Sequence, residues 1–111
     1  MNAPVPRSLV ILNTTPSLEE LVIDWLLGRE GDKGFSSFPV HGHSARHDGL
    51  SAAEQVSGRR GRIQFEIHMP ADQVADFLQE AAGRFGTADV HCIVLPVAAA
   101  GKLAALARPA C

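Results

Sequence analysis

The sequence predicts one α+β domain, built as a four-stranded antiparallel sheet with two helices on one face. Its 111 residues, 46% of them hydrophobic, are enough for a single hydrophobic core. Strand-like and helix-like segments follow one another in the order β-α-β-β-α-β. No internal repeat or linker-like stretch divides the chain, so we expect a single domain over residues 1–111.

The first strand and the first helix come from the amino-terminal quarter. Residues 9–12 form a short, β-branched hydrophobic run closed by turn formers, which predicts a strand buried on both faces. Hydrophobic residues then recur at helical spacing: Leu18, Leu21, Val22, Trp25 and Leu26. Pro16 and the capping-box spacing of Ser17 and Glu20 predict the helix start, and three glycines within residues 28–34 predict its end.

Two alternating segments predict the second and third strands. Residues 35–44 contain Pro39, which predicts an edge strand or a bulge because proline donates no hydrogen bond to a sheet ladder. In the next segment, hydrophobic and polar residues alternate strictly. We expect its hydrophobic members to lie under the helices: Ile63, Phe65, Ile67 and Met69. We expect its polar members on the open face, the side away from the helices, together with two histidines: Gln64, Glu66, His68, His41 and His43.

A second helix and a fourth strand complete the pattern. Pro70 opens the helix and Gly86 ends it, with a hydrophobic stripe at Val74, Phe77, Leu78, Ala81 and Phe85. Residues 90–97 are predicted as the last strand, in which we expect Cys92 to be a buried core residue. The economical packing of these elements is the ferredoxin-like βαββαβ arrangement, with a core at about residues 8–98 and a tail at residues 99–111.

Composition excludes several classes of protein. A net charge of -2 gives no overall attraction to nucleic acid. No hydrophobic run approaches the ~18 residues of a membrane span, so we expect no membrane insertion. The first residues do not resemble a secretion signal, and two cysteines are too few for a disulfide framework. These features favour a cytoplasmic protein with reduced thiols.

The second and third strands are separated by an unusually long segment, residues 45–60, where a hairpin needs only about two to five residues. From residue 46 to residue 62, four arginines against two acidic residues leave a local charge of +2. Guanidinium groups pair with phosphate or carboxylate, which makes Arg46, Arg59 and Arg60 the candidate anion ligands, with Glu54 as a further ligand or an ion-pair partner. An ordinary solvated loop is the alternative interpretation.

Three histidines precede this segment or lie within it. His41 and His43 are two apart on a strand, so both rings project from one face, and His47 follows closely. Neutral imidazoles suit Zn, Cu, Ni or Co ions, and the set predicts a metal site that Asp48, or Glu66 with His68, would complete. Alternatively, the histidines anchor the loop through hydrogen bonds. Since no nucleophile–base constellation is present, we expect a protein without enzymatic activity.

At the long segment the sequence resembles a known family. The element order, the long segment after the second strand and the run VHGHSARHDG at residues 40–49 resemble the PII signalling proteins. Residues 41–51, the run EQV at residues 54–56 and Gly58-Arg59 are more similar still to a small PII-like branch of unassigned function, whose genes are often found beside heavy-metal efflux systems. The resemblance covers roughly residues 8–98.

This resemblance implies a homotrimer with a cytoplasmic regulatory role and small ligands in clefts between subunits. It also implies a T-loop at residues 45–60 that contacts a partner such as a membrane transporter. One departure argues against adenine nucleotide binding of the PII type. The connection between the second helix and the last strand, residues 85–89, lacks the glycine-rich, lysine-containing loop of that family. Tyrosine is absent, so the modified T-loop tyrosine of some PII proteins has no counterpart.

The sequence therefore predicts a PII-like regulator that binds a transition metal ion, an anion or a nucleotide. Two other classes stay open. A metal-binding protein resembling CutA would share the fold and the trimer, and it would bind metal without a signalling partner. A small ferredoxin-fold enzyme would use a histidine as acid or base, and a dimer in solution would favour it.

Overall fold

A computed structural model of the protein, which describes residues 5–29, 34–43 and 59–108, confirms the predicted α+β architecture. The four strands are β1 (Arg7–Thr14), β2 (Phe35–His43), β3 (Arg59–Pro70) and β4 (His91–Val97). They form one antiparallel sheet in the order β2-β3-β1-β4. The helices are α1 (Glu19–Leu27), α2 (Val74–Phe85) and the single turn α3 (Leu103–Leu106). Short 3-10 turns at Pro16–Leu18 and Ala71–Gln73 precede α1 and α2.

One face of the sheet packs against α1 and α2 and forms the core. The hydrophobic residues predicted to lie under the helices on β3 are all buried there, and Phe65 and Phe77 have no exposed surface. Trp25 is buried as predicted, with its ring centroid 5.2 Å from that of Phe77 and 5.4 Å from that of Phe85. The two helices and the sheet therefore meet around a small set of aromatic rings.

A polar clamp joins α1 to α2 beside this aromatic cluster. Trp25 Nε1 donates a hydrogen bond of 2.9 Å to Glu80 Oε1, and Arg29 forms an ion pair with the other carboxylate oxygen. The Arg29 guanidinium also lies 4.9 Å from the centroid of the Phe77 ring. The Trp25 hydrogen bond and the Arg29 charge hold the pKa of Glu80 below its usual value, against an opposing effect of desolvation.

The amino-terminal elements differ from the prediction in three details. Only one face of β1 is fully buried, because within the described ranges no second layer packs on its open-face residues Leu9 and Ile11. Leu21, predicted to face the core, is 59% exposed on the outer side of α1. The predicted capping box does not form: the first turn is a 3-10 turn, and the Ser17 hydroxyl lies 3.0 Å from that of Thr15 instead.

Two sequence predictions concern residues on the edge strands of the sheet, Pro39 and Cys92. Pro39 lies on β2, which is an edge strand as expected. The prediction that Cys92 is buried is wrong, because β4 is the other edge and the helices leave most of it uncovered. Cys92 borders a small cavity of about 160 Å³ between the sheet and the helices. Partial burial there raises the pKa of its thiol.

The connection between β2 and β3 ends two residues earlier than predicted, because β3 begins at Arg59. Residues 59 and 60, predicted as the end of the T-loop-like segment, form the first two residues of β3. The remainder, which includes Arg46, His47, Asp48 and Glu54, lies outside the described residues. Among the helices within the described ranges, none is long and apolar enough to cross a membrane.

Candidate functional site

The end of the sheet from which the 44–58 segment departs collects the polar residues of interest. Because neighbouring strands are antiparallel, β1 and β2 end here and β3 and β4 begin here. We call this edge the loop end and define it by the ladder pairs His43–Arg59 and Asn13–His91. The chain leaves the sheet after His43 and returns at Arg59.

Arg62, with only 5% of its surface exposed, organises the loop end. Its Nε donates to Asn13 Oδ1 at 2.5 Å, and its Nη2 donates to the backbone oxygens of Asn13 and Asp89, each at 2.9 Å. Its Nη1 donates to Asp89 Oδ2 at 2.9 Å. One buried cation therefore joins β3 to the end of β1 and to the connection between α2 and β4.

Asp89 is the acceptor that the basic side chains of the loop end share. Besides Arg62, Arg60 Nη1 lies 3.4 Å from Asp89 Oδ2, and His91 Nε2 lies 2.9 Å from Asp89 Oδ1. Partial desolvation pushes the pKa of Asp89 upward, but the Arg62 charge and the hydrogen bonds from His91 and Arg62 outweigh it and hold that pKa below its usual value. Two guanidinium groups thus share one carboxylate, and this local excess of positive charge can attract an anion.

His41 and His43 lie on the opposite face from the one predicted. The ladder pairs His41 with Gly61 and His43 with Arg59, in the same alternation that pairs Pro39 with Ile63. Directly opposed residues share a face, so the histidines lie on the helix-side face, and the prediction of the open face is wrong. Both are exposed.

The structure separates these histidines from two of their predicted companions. Glu66 pairs with Ser36 on the open face, five positions along β2 from His41 and therefore about 16 Å away. His68 lies farther still, so neither can complete a site with His41 and His43. No three side chains of metal-binding type come together within the described ranges. The remaining predicted companions, His47 and Asp48, lie outside those ranges, and the metal site stays a prediction.

The predicted anion ligands are brought together only in part. Arg60 joins the Asp89 cluster, and Arg59 is placed at the first position of β3. Sequence reasoning missed Arg62, Asp89, His91 and Asn13 as members of one cluster. Only a weak signal was present, because Arg62 looks like one more polar residue of an alternating strand. The strand order places β1 beside it and β4 next to β1, which brings Asp89, just before β4, within its reach.

Comparisons with known proteins agree with this fold. The family model described as "Protein of unknown function (DUF3240)" matches residues 6–104. A crystal structure of a DUF3240 family protein from Shewanella baltica superposes with a TM-score of 0.72 at 24% identity, covering 91% of this chain and 99% of that one. No curated protein matches the sequence significantly.

Two further solved structures connect the fold to PII-like proteins. A PII-like signalling protein from Thermus thermophilus has a TM-score of 0.60 at 23% identity, over 84% of this chain and 88% of that one. The GlnK–ATP complex from B. subtilis has a TM-score of 0.55 at 22% identity, over 86% and 85% of the two chains. The likeness is one of fold.

Proposed function

The chain belongs to the DUF3240 family of proteins of unknown function, and from its PII-like fold and its loop end we propose that it is a PII-like regulatory protein. A small effector binds at the loop end, and the 45–60 segment contacts a partner protein. The observation that carries the proposal is the Arg62–Asp89 cluster. This charged network, centred on the buried Arg62, lies at the edge of the sheet where the long segment leaves and returns.

The two faces of the loop end offer different chemistry to an effector. The helix-side face carries the exposed pair His41 and His43, whose imidazoles suit a transition metal ion. The open face carries Arg60 and Arg62, which suit an anion. The proposal favours the metal ion, and an anion bound by the arginines is the second arm of the test.

A metal ion would couple the sheet to the long segment. Held by His41 and His43 on β2 and by His47 beyond it, the ion would fix the start of the 45–60 segment against the sheet. Partner contact through this segment would then depend on metal, which is how an effector-controlled loop acts as a switch.

An anion would act through the opposite face. Arg62 donates hydrogen bonds to Asn13 and Asp89, and Arg60 lies 3.4 Å from the same Asp89 carboxylate. An incoming phosphate or carboxylate would compete with Asp89 for Arg60 while Arg62 stays in place. Because Arg60 is the last residue of the 45–60 segment, its movement would also reach the rest of that segment.

The proposal also covers the oligomeric state and the cellular location of the protein. On the open face, Ile93 and Leu95 lie side by side and exposed on β4, forming an apolar surface that a homotrimer would cover. We propose a cytoplasmic homotrimer that binds ligands and a partner protein and does not catalyse a reaction, and the proposed partner is a metal transporter.

The proposal is tested by thermal shift on the purified, metal-stripped, tag-free protein. The panel contains Zn, Cu, Ni and Co ions, and separately phosphate, AMP, ADP and ATP, because a ligand that binds only the folded state raises the melting temperature. The variant His41→Ala/His43→Ala/His47→Ala tests the metal arm against His68→Ala, which removes an exposed histidine far from the loop end. Arg60→Met tests the anion arm against Arg84→Met on α2.

We expect a shift with at least one metal ion, lost in the triple histidine variant and kept in His68→Ala. A shift with an anion that only Arg60→Met removes would move the effector to the arginines and keep the regulatory role. If no ligand shifts the melting temperature, or if the control variants lose the response equally, the loop end is not an effector site.

A further inference from the structure

A small apolar cavity lies between the sheet and the helices, near the start of the edge strand β4. Its volume is about 160 Å³, and residues of β1, β4, α1 and α2 contribute to its lining. Leu12 and Cys92, which both line it, are directly opposed in the ladder and therefore share a face of the sheet. Because Leu12 is buried under the helices, the cavity lies on the helix side of the sheet and not on the open face.

The cavity is closed at its inner end and open to solvent at the β4 edge. Leu12 on β1 and Val22 on α1 line its inner end, and both are almost completely shielded from solvent. Gly86, which follows α2, and Cys92 on β4 also line it, and both are exposed. A ligand can therefore enter between the end of α2 and the start of β4, and its inner side would contact the core.

The backbone at this opening is held in place by the fold. The Gly86 amide donates a hydrogen bond of 2.8 Å to the backbone oxygen of Ala82. A Cβ atom at position 86 would collide with that same oxygen, so glycine is required there and no side chain blocks the opening from this position. Three residues further on, the backbone oxygen of Asp89 accepts a hydrogen bond of 2.9 Å from Arg62. The opening therefore exists without a ligand.

The lining selects against charged and strongly polar ligands. Among the lining residues within the described ranges, the Cys92 thiol is the only side chain that carries an atom other than carbon and hydrogen. Partial burial raises the pKa of this thiol, which keeps it uncharged at neutral pH. A charged ligand would lose its hydration here without gaining a partner, whereas an apolar molecule would remove its surface from water at no such cost.

The volume sets the size of the ligand. Apolar cavities of about 150 Å³ in protein interiors stay dry and take up molecules such as benzene. The present cavity, at about 160 Å³, belongs to the same size class. Its side wall includes Phe85, so a bound molecule would contact an aromatic ring as well as the aliphatic residues of the inner end.

We propose that this cavity binds a small uncharged apolar molecule of about the size of one benzene ring. The molecule would pack against Leu12 and Val22 and lie beside Phe85, with Cys92 at the opening. This inference goes beyond the proposed function and does not rest on it. The lining shares no side chain with the loop-end cluster or with the exposed residues Ile93 and Leu95 of the open face, so the failure of either proposal leaves the other standing.

Isothermal titration calorimetry with the whole chain tests the inference, with toluene as the probe. Benzoate is the matched ligand, because it has the same ring but carries a charge. Ala81→Leu is the test variant, since it adds carbon atoms to a residue that lines the cavity. Ala75→Leu makes the same substitution at an exposed position of α2 outside the lining and is the control.

A second readout locates the ligand in the unmodified protein. The rate at which iodoacetamide alkylates Cys92 is followed by mass spectrometry of the peptide that contains it, with and without toluene. A molecule bound in the cavity would cover the thiol at the opening and slow this reaction. Because this measurement and the comparison of toluene with benzoate use no variant, neither depends on how Ala81→Leu folds.

We expect toluene to bind, and benzoate to bind about tenfold or more weakly. Ala81→Leu should weaken toluene binding by a similar factor, Ala75→Leu should leave it unchanged, and toluene but not benzoate should slow the alkylation of Cys92. The inference would be overturned if toluene does not bind up to its solubility limit, or if benzoate binds equally well. Toluene binding that leaves the alkylation rate of Cys92 unchanged would also overturn it.

Discussion

Arg62 is the residue on which the geometry of the loop end depends most. Its guanidinium is buried and donates to two backbone oxygens and two side chains. Replacing it with methionine would keep the bulk of the side chain but leave Asn13 and Asp89 without their donor. We expect Arg62→Met to lower the free energy of unfolding by about 2 kcal/mol. Urea unfolding measures the loss, and Arg108→Met in the exposed tail, which should change it little, is the control.

Asp89 makes the free energy of unfolding depend on pH in the acid range. Its pKa is lowered in the folded state, so its contribution to stability is present above the unfolded value of 3.8 and is lost as pH falls through the folded pKa. The variant Asp89→Asn lacks this contribution at every pH. Urea unfolding over a series from about pH 6 to about pH 3 should show the difference between wild type and variant shrinking below about pH 4. A difference that stays constant, or grows on acidification, would contradict the assigned ion pairs.

At the residue scale, candidate ligands such as the histidine pair could be recognised from the sequence, but the residues that contact them in the fold could not. The His41 and His43 pair was recognisable because two residues apart on a strand share a face. Which face they share depends on the register of β2 against β3, and the long segment between the strands leaves that register undetermined in the sequence. Arg62 was hidden for a related reason: its partners come from β1 and from the connection that leads into β4.

At the scale of elements, the packing of α1 against α2 is centred on Phe77. Its ring is fully buried and contacts Trp25, and Arg29 covers it from outside. We expect Phe77→Ala to cost about 3–5 kcal/mol, because truncating a buried aromatic leaves a cavity. Leu27→Ala on the outer side of α1, where the side chain is 70% exposed, is the matched control and should cost little. Equal losses in the two variants, measured by urea unfolding, would contradict this core.

The elements themselves were predictable because each carries a strong periodic signal. Strict alternation located β3 and its buried set, and Pro39 identified β2 as an edge strand. The hydrophobic run of β4 gave no such information, since a continuous apolar strand is predicted to be buried whether it is central or at an edge. That is why Cys92 was misplaced, and why the exposure of Ile93 and Leu95 emerges only from the strand order.

At the scale of the whole molecule, the apolar open face predicts assembly. Ile93 is 56% exposed and lies beside Leu95 on the same face of β4. We expect sedimentation velocity to give a mass about three times the 11.8 kDa of the chain. Ile93→Lys should shift the protein toward monomer because it places a charge in the covered surface. Leu27→Lys, on the helix side, should leave the assembly intact. A wild-type monomer would contradict the proposed trimer.

The central claim is that an effector bound at the loop end acts on the 45–60 segment. Hydrogen–deuterium exchange measured by mass spectrometry tests it most directly, with the metal-stripped protein alone, with saturating zinc chloride and with saturating ADP. The account predicts that at least one of the two ligands slows exchange in peptides covering residues 40–62 and leaves the carboxyl-terminal half of α2 unchanged. Exchange in residues 40–62 that neither ligand alters would contradict the claim.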